Sequence, residues 1–126
     1  MSLPCSAITV VVVDDDVSFR SGLAAILEED GHVVGQYRDA RDVPPAALLA
    51  AEVVVIDLYQ MVASDGLAFV DRVHAVRPEA AIVLATAYWT VEIEAEVAAR
   101  DFLQLCRKPI DYDELHTFLH RLAARD

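Results

Sequence analysis

The chain has 126 residues, 56% of them hydrophobic and 25% charged, enough to bury a core as a single domain (residues 1–126) and too apolar to be disordered. With 21 acidic against 10 basic residues the formal charge is −11, so phosphates would be repelled and direct nucleic-acid binding by this domain is not expected. Cys5 and Cys106 are too few for a disulfide framework, and no apolar run approaches the ~20 residues of a membrane span.

The opening MSLPCSAITV has no basic stretch ahead of an apolar one, so a secretory leader is not expected and a cytoplasmic setting fits best. Residues 1–7 read as a lead-in, disordered or vector-derived. Residues 8–13, ITVVVV, form a continuous β-branched run, the pattern of a strand covered on both faces. Asp14, Asp15 and Asp16 follow at once. Two like charges ~5 Å apart at an effective dielectric of about 20 oppose each other by roughly 3 kcal/mol. Such a cluster at the mouth of a buried strand calls for a cation, although Asp16 reads mainly as a helix cap.

Phe19, Leu23, Ile26 and Leu27 recur at helical spacing, with Gly31 as the stop. HVVGQY (32–37) reads as the second strand, and ARDVPPAALLA (40–50) as a weaker helix with Pro44 and Pro45 near its start. VVVID (53–57) is the third strand. A polar loop runs to Gly66, and a helix then carries Leu67, Val70, Val73 and Val76 up to Pro78. AAIVLAT (80–86) is the fourth strand, TVEIEAEVAAR (90–100) a helix with exposed acids Glu92, Glu94 and Glu96, and FLQLC (102–106) the fifth strand with Cys106 buried. The last helix opens at Asp111 with Glu114 three residues on, a capping-box start, and shows a stripe of Leu115, Phe118, Leu119 and Leu122. Five strands alternating with five helices predict an α/β doubly wound (βα)5 sandwich with a parallel sheet.

In such folds ligands sit beyond the carboxyl ends of the strands. Strand one ends in the three aspartates, strand three in Asp57, strand four in Thr86-Ala87, and strand five in Lys108-Pro109. Nine of the ten basic residues are arginines, so Lys108, the lone lysine, reads as a working part. Carboxylates, a hydroxyl and an amine on one rim suit Mg2+, which takes hard oxygen ligands and keeps several waters, beside a phosphoryl group carried by an aspartate. Asp57 is the expected nucleophile. Lys108 and Thr86 would stabilise the charge spread over the phosphoryl oxygens.

These residues, at these strand ends and in this order, resemble the receiver domain of bacterial two-component response regulators over residues 8–124. The resemblance implies the flavodoxin-like strand order 2-1-3-4-5. It implies Asp14 and Asp15 as the acidic pair, Asp57 as phosphoacceptor, Thr86 as switch hydroxyl, Lys108-Pro109 as the Lys-Pro pair with a cis peptide, and the Tyr59 carbonyl as a further Mg2+ ligand. It also implies a sensor histidine kinase or phosphotransfer protein as donor and a downstream effector protein or domain as reader. The last two helices leave homodimerisation open, and no membrane partner is implied.

Three features depart from the family. The loop after Asp57, LYQMVASDG, has Met61 where proline is common and reaches its glycine one residue late. Leu105 stands three before the lysine, where an aromatic is usual. Tyr59 and Tyr88 flank the site, and their bulk predicts slow loss of the phosphoryl group.

Rival readings remain. DDDVS spells D-x-D-x-S from Asp14 to Ser18, near the nucleophile motif of haloacid-dehalogenase-type phosphohydrolases, which would make Asp14 the nucleophile and Asp16 the acid. A receiver-like module that signals without phosphate is a second alternative. A flavodoxin-like cofactor binder lacks its phosphate loop. His116 and His120 stand at i, i+4 with no third metal ligand evident, so a solvated helix face is expected there. Tyr88 and Trp89 read equally as a partner patch or as loop aromatics.

Overall fold

A computed structural model of the chain describes residues 7–57, 63–87, 90–108 and 110–123. Among these residues five strands alternate with five α-helices: β1 (Thr9–Val13), α1 (Val17–Glu29), β2 (Val33–Tyr37), α2 (Pro45–Ala50), β3 (Val53–Ile56), α3 (Ala63–Val76), β4 (Ala81–Thr86), α4 (Val91–Ala98), β5 (Leu103–Arg107) and α5 (Tyr112–Ala123). The strands are parallel and ordered β2-β1-β3-β4-β5, the doubly wound flavodoxin-like arrangement.

Side-chain alternation along the central strands divides the core between the two faces of the sheet. Val11, Val13, Val54, Ile56, Ile82 and Leu84 join one cluster with Leu48 of α2 and Phe69, Val70 and Val73 of α3. Val10, Val12, Val53, Val55, Val83 and Ala85 join the other with Leu23 and Leu27 of α1 and Leu115 and Leu119 of α5. Burying each of these Val, Ile, Leu and Phe side chains contributes about 1.5–3 kcal/mol, so the β-branched runs hold the strand ends in fixed relation.

Helix α1 ends in a Schellman motif: Gly31 N–H donates to the Glu28 carbonyl at 2.9 Å and His32 N–H to Leu27 at 3.1 Å. Gly31 supplies the left-handed conformation this requires, with φ 93°.

Some boundaries differ from the sequence reading. The run 40–50 is not one helix but a 3-10 turn, Ala40–Asp42, followed by a six-residue α2. A residue ahead of proline is pushed out of the α region, and Val43 and Pro44, each preceding a proline, are both extended. Helix α3 starts three residues before Gly66. Strand β5 is shifted one residue on, because Phe102 belongs to the turn closed by Leu103 N–H on the Arg100 carbonyl. Cys106 is half-buried rather than buried, since β5 is an edge strand packed less completely than β3 or β4. Tyr59, Met61, Tyr88, Trp89 and Pro109, with the expectations attached to them, lie outside the described residues. Among the described residues no helix is long and apolar enough to cross a membrane.

Candidate functional site

Register places the site. Val13 of β1 stands level with Ile56 of β3, so Asp14 and Asp57, one residue further on, emerge side by side. Two backbone bonds fix them: Asp14 N–H donates to the Tyr37 carbonyl at 3.0 Å and Asp57 N–H to Val13 at 3.1 Å. At the other edge Thr86 pairs with Arg107, and Lys108 N–H donates to the Thr86 carbonyl at 2.9 Å, which ties the ends of β4 and β5 together.

Lys108 reaches from the edge strand back to the centre of the rim. Its Nζ donates to Asp14 Oδ2 at 2.7 Å and to Asp57 Oδ2 at 2.9 Å. It also lies 4.0 Å from the centroid of the Phe19 ring, a cation–π contact from the first turn of α1. Asp14, Asp57 and Thr86 are buried. Burial pushes the Asp14 carboxyl above its usual range, against the lowering pull of the Lys108 hydrogen bond and the Asp16 N–H. Burial also pulls on the Lys108 ammonium, but its hydrogen bonds to Asp14 and Asp57 outweigh that and raise it.

The three consecutive aspartates thus have three different surroundings. Asp14 is the buried partner of Lys108, and its Oδ1 also accepts the Asp16 N–H at 2.9 Å. Asp15 is half-buried and makes no hydrogen bond or ion pair among the described residues. Asp16 is the exposed N-cap of α1, accepting from Phe19 N–H at 3.2 Å, as read from the sequence. The like-charge problem is met in two ways: an ammonium between Asp14 and Asp57, and partial or full solvent exposure at Asp15 and Asp16.

Of the expected set, Asp14, Asp57 and Lys108 are in direct contact, Thr86 is joined to Lys108 through the backbone, and the Tyr59 carbonyl lies outside the described residues. No group of three or more His, Cys, Asp or Glu is arranged to hold a metal ion among the described residues. The donor set nevertheless suits Mg2+: Asp14 and Asp57 offer hard carboxylate oxygens converging on one point, and Mg2+ requires only one or two direct carboxylates.

Two members of the site were missed by sequence reasoning. In the sequence Phe19 shows only as part of a helical stripe. Arg20 was not singled out, yet its Nη1 donates to the Asp14 carbonyl at 2.7 Å and holds the start of the loop. Their positions in the first turn after the Asp16 N-cap, facing back over the strand end, are the available signal. Leu105 is half-buried and packs into the same face of the sheet as Ile93 and Val97 of α4. The exposed His116 pairs with Asp30 at 2.8 Å and its ring lies 4.0 Å from that of His120. Glu92, Glu94 and Glu96 are exposed, as expected.

Comparison with known proteins converges on one family. The sequence model of the response regulator receiver domain matches residues 10–120. The transcriptional regulatory protein ZraR of Escherichia coli (strain K12) is 31% identical over 121 residues, covering 93% of this chain and 26% of ZraR. The chain therefore spans about a quarter of the length of the curated relatives it matches. Among solved structures, NtrX from Brucella abortus in complex with ADP is 28% identical with a TM-score of 0.78, covering 95% of this chain and 27% of that one. A response regulator protein from Burkholderia pseudomallei with a phosphorylated aspartic acid, calcium ion and citrate is 24% identical with a TM-score of 0.74, covering 94% and 69%.

Proposed function

The chain belongs to the response regulator receiver domain family, and on that premise we propose that Asp57 is the residue it phosphorylates, with Lys108 and Thr86 as the groups that stabilise and read the phosphoryl group. The observation that carries this is the bridge from Lys108 Nζ to Asp57 and Asp14, residues 51 and 94 positions away in the chain. A lone lysine held between two buried carboxylates has little value as a surface charge and much as a partner for incoming phosphoryl oxygens.

The donor is a phosphohistidine of a sensor kinase or phosphotransfer protein. An Asp57 carboxylate oxygen bonds to phosphorus as the P–N bond breaks, and the imidazole leaves with that electron pair. Lys108 keeps its charge through the step, since its carboxylate partners raise its pKa. It then contacts a phosphoryl oxygen where it now contacts Asp57. The Thr86 hydroxyl, buried on the neighbouring strand end, donates to another. Asp14, Asp15 and Asp57 would hold Mg2+, which when bound neutralises charge on the phosphoryl oxygens. New contacts at Thr86 and Lys108 bias the ends of β4 and β5, so α4, β5 and α5 form the face that an effector, or a second copy, reads.

The phosphohydrolase alternative is not favoured: Asp16, its required acid, is an exposed helix cap. Intact-mass spectrometry after incubation with acetyl phosphate tests the proposal. A magnesium-dependent gain of one phosphoryl group, labile to hydroxylamine and absent in Asp57→Asn, is expected. An unchanged gain in Asp57→Asn would overturn it.

A further inference from the structure

The chain carries a net charge of −11, yet one cleft on its surface is apolar and flanked by two arginines. It lies between α2 and the last turns of α3, with a volume of about 560 Å³. Val43 and Leu48 form its buried floor, and Leu49 and Val76, 62% and 42% exposed, form its lip. Arg41 and Arg72 flank it. The cleft follows from the sequence: the prolines leave α2 only six residues long, and PAALLA buries one leucine while turning the next outward.

Its walls are braced. Arg77 Nη1 donates to the carbonyls of Leu49 at 3.1 Å and Ala51 at 2.9 Å, fixing the end of α2. Asp39 holds the Arg41 guanidinium through two hydrogen bonds, at 3.1 and 3.0 Å. Arg72 lies 5.2 Å from the Phe69 ring centroid and has no carboxylate partner among the described residues. An apolar trough with an ion-paired guanidinium on one side, and on the other one that has no carboxylate partner among the described residues, is complementary to a helix with aliphatic residues on one face and carboxylates beside them.

We propose that this cleft docks an acidic amphipathic helix of a partner protein. Nucleic acid and anionic membranes present broad negative surfaces that would meet the whole charge of −11, whereas one short helix meets only the cleft, where Arg72 has no carboxylate partner among the described residues. Helix α3 runs back against the strand direction, so Arg72 and Val76 lie toward the amino ends of the strands, away from Asp57. The cleft is lined by none of Asp14, Asp57, Thr86 and Lys108, and its docking does not rest on the reading given to them.

The test titrates the full chain with an acetylated synthetic helix, leucines at i, i+3, i+4 and i+7 and glutamates elsewhere, followed by amide NMR shifts. The expected shifts centre on Val43, Leu48, Leu49, Arg72 and Val76, and the affinity is unchanged by magnesium with beryllofluoride. Arg72→Glu weakens binding ~tenfold, and a peptide with lysines in place of the glutamates regains it for that variant. Leu49→Gln, at an exposed position that leaves the core intact, also weakens binding. Shifts elsewhere, no binding, equal binding of the two peptides by the unaltered chain, or an affinity that follows beryllofluoride would overturn the proposal. So would binding to phosphatidylglycerol vesicles in place of the peptide.

Discussion

Two ion triads in the molecule share one plan and sit in opposite surroundings. At the rim, Lys108 bridges Asp14 and Asp57 at 2.7 and 2.9 Å, with the carboxylate side chains 1% and 7% exposed. On the helical side, Arg100 bridges Asp71 of α3 and Glu96 of α4, both at 2.8 Å, with the acids 53% and 51% exposed. The distances barely differ, but the desolvation does. A buried pair gains its attraction against a large desolvation penalty, whereas an exposed pair has little of either. The rim triad is thus poorly suited to stabilising the fold and well suited to changing partners when a phosphoryl group or a divalent cation arrives.

Breaking each triad at its cation should separate them most. Lys108→Met removes the cation between two buried carboxylates and should cost about 3 kcal/mol at neutral pH, read from urea unfolding. The loss should shrink on acidification, as Asp14 takes a proton. Equal stability of Lys108→Met and the unaltered chain would mean the rim is not as closed as its burial suggests.

The acids should then respond to pH with opposite slopes. Asp14 titrates above its ordinary 3.8 because of burial. Between 3.8 and that raised value the folded chain holds more protons than the unfolded one, so stability falls as pH rises through the window. Asp71 is held below 3.8 by its hydrogen bonds from Arg100. Its contribution is present above 3.8 and is lost as pH falls through the lowered value. Urea midpoints across the acid range should show Asp14→Asn gaining on the unaltered chain as pH rises, and Asp71→Asn falling behind it. Parallel slopes would erase the distinction.

The smallest effects belong to the exposed triad. Arg100→Ala should cost about 1 kcal/mol and Asp71→Asn about 0.5 kcal/mol, both reduced by added salt. Thermal unfolding at low and high ionic strength measures this.

Much of the rim could be read from the chain because it depends on strand ends. A β-branched run ends where its polar residues begin, and parallel register then sets Asp14 beside Asp57 with no further information. The lysine is conspicuous for a different reason, since the other nine basic residues are all arginines. The contacts of Phe19 and Arg20 were not legible, because they depend on how α1 leaves its cap, and a helical stripe looks the same whether a ring meets the core or an ammonium. The Arg100 triad was invisible: its partners come from two helices whose relative placement the sequence pattern does not encode. The split at residues 43–45 was signalled by two prolines, but read as a helix start rather than as two extended residues.

The central claim is that the buried triad exists to serve phosphorylation at Asp57. The most direct measurement treats the chain with acetyl phosphate and magnesium, reduces the acyl phosphate with borohydride, and locates the resulting homoserine by peptide mass mapping. Homoserine at position 57 and at no other aspartate, with the yield retained in Arg100→Ala and sharply reduced in Lys108→Met, is the predicted result. Homoserine at position 14, or a yield indifferent to Lys108, would contradict the account.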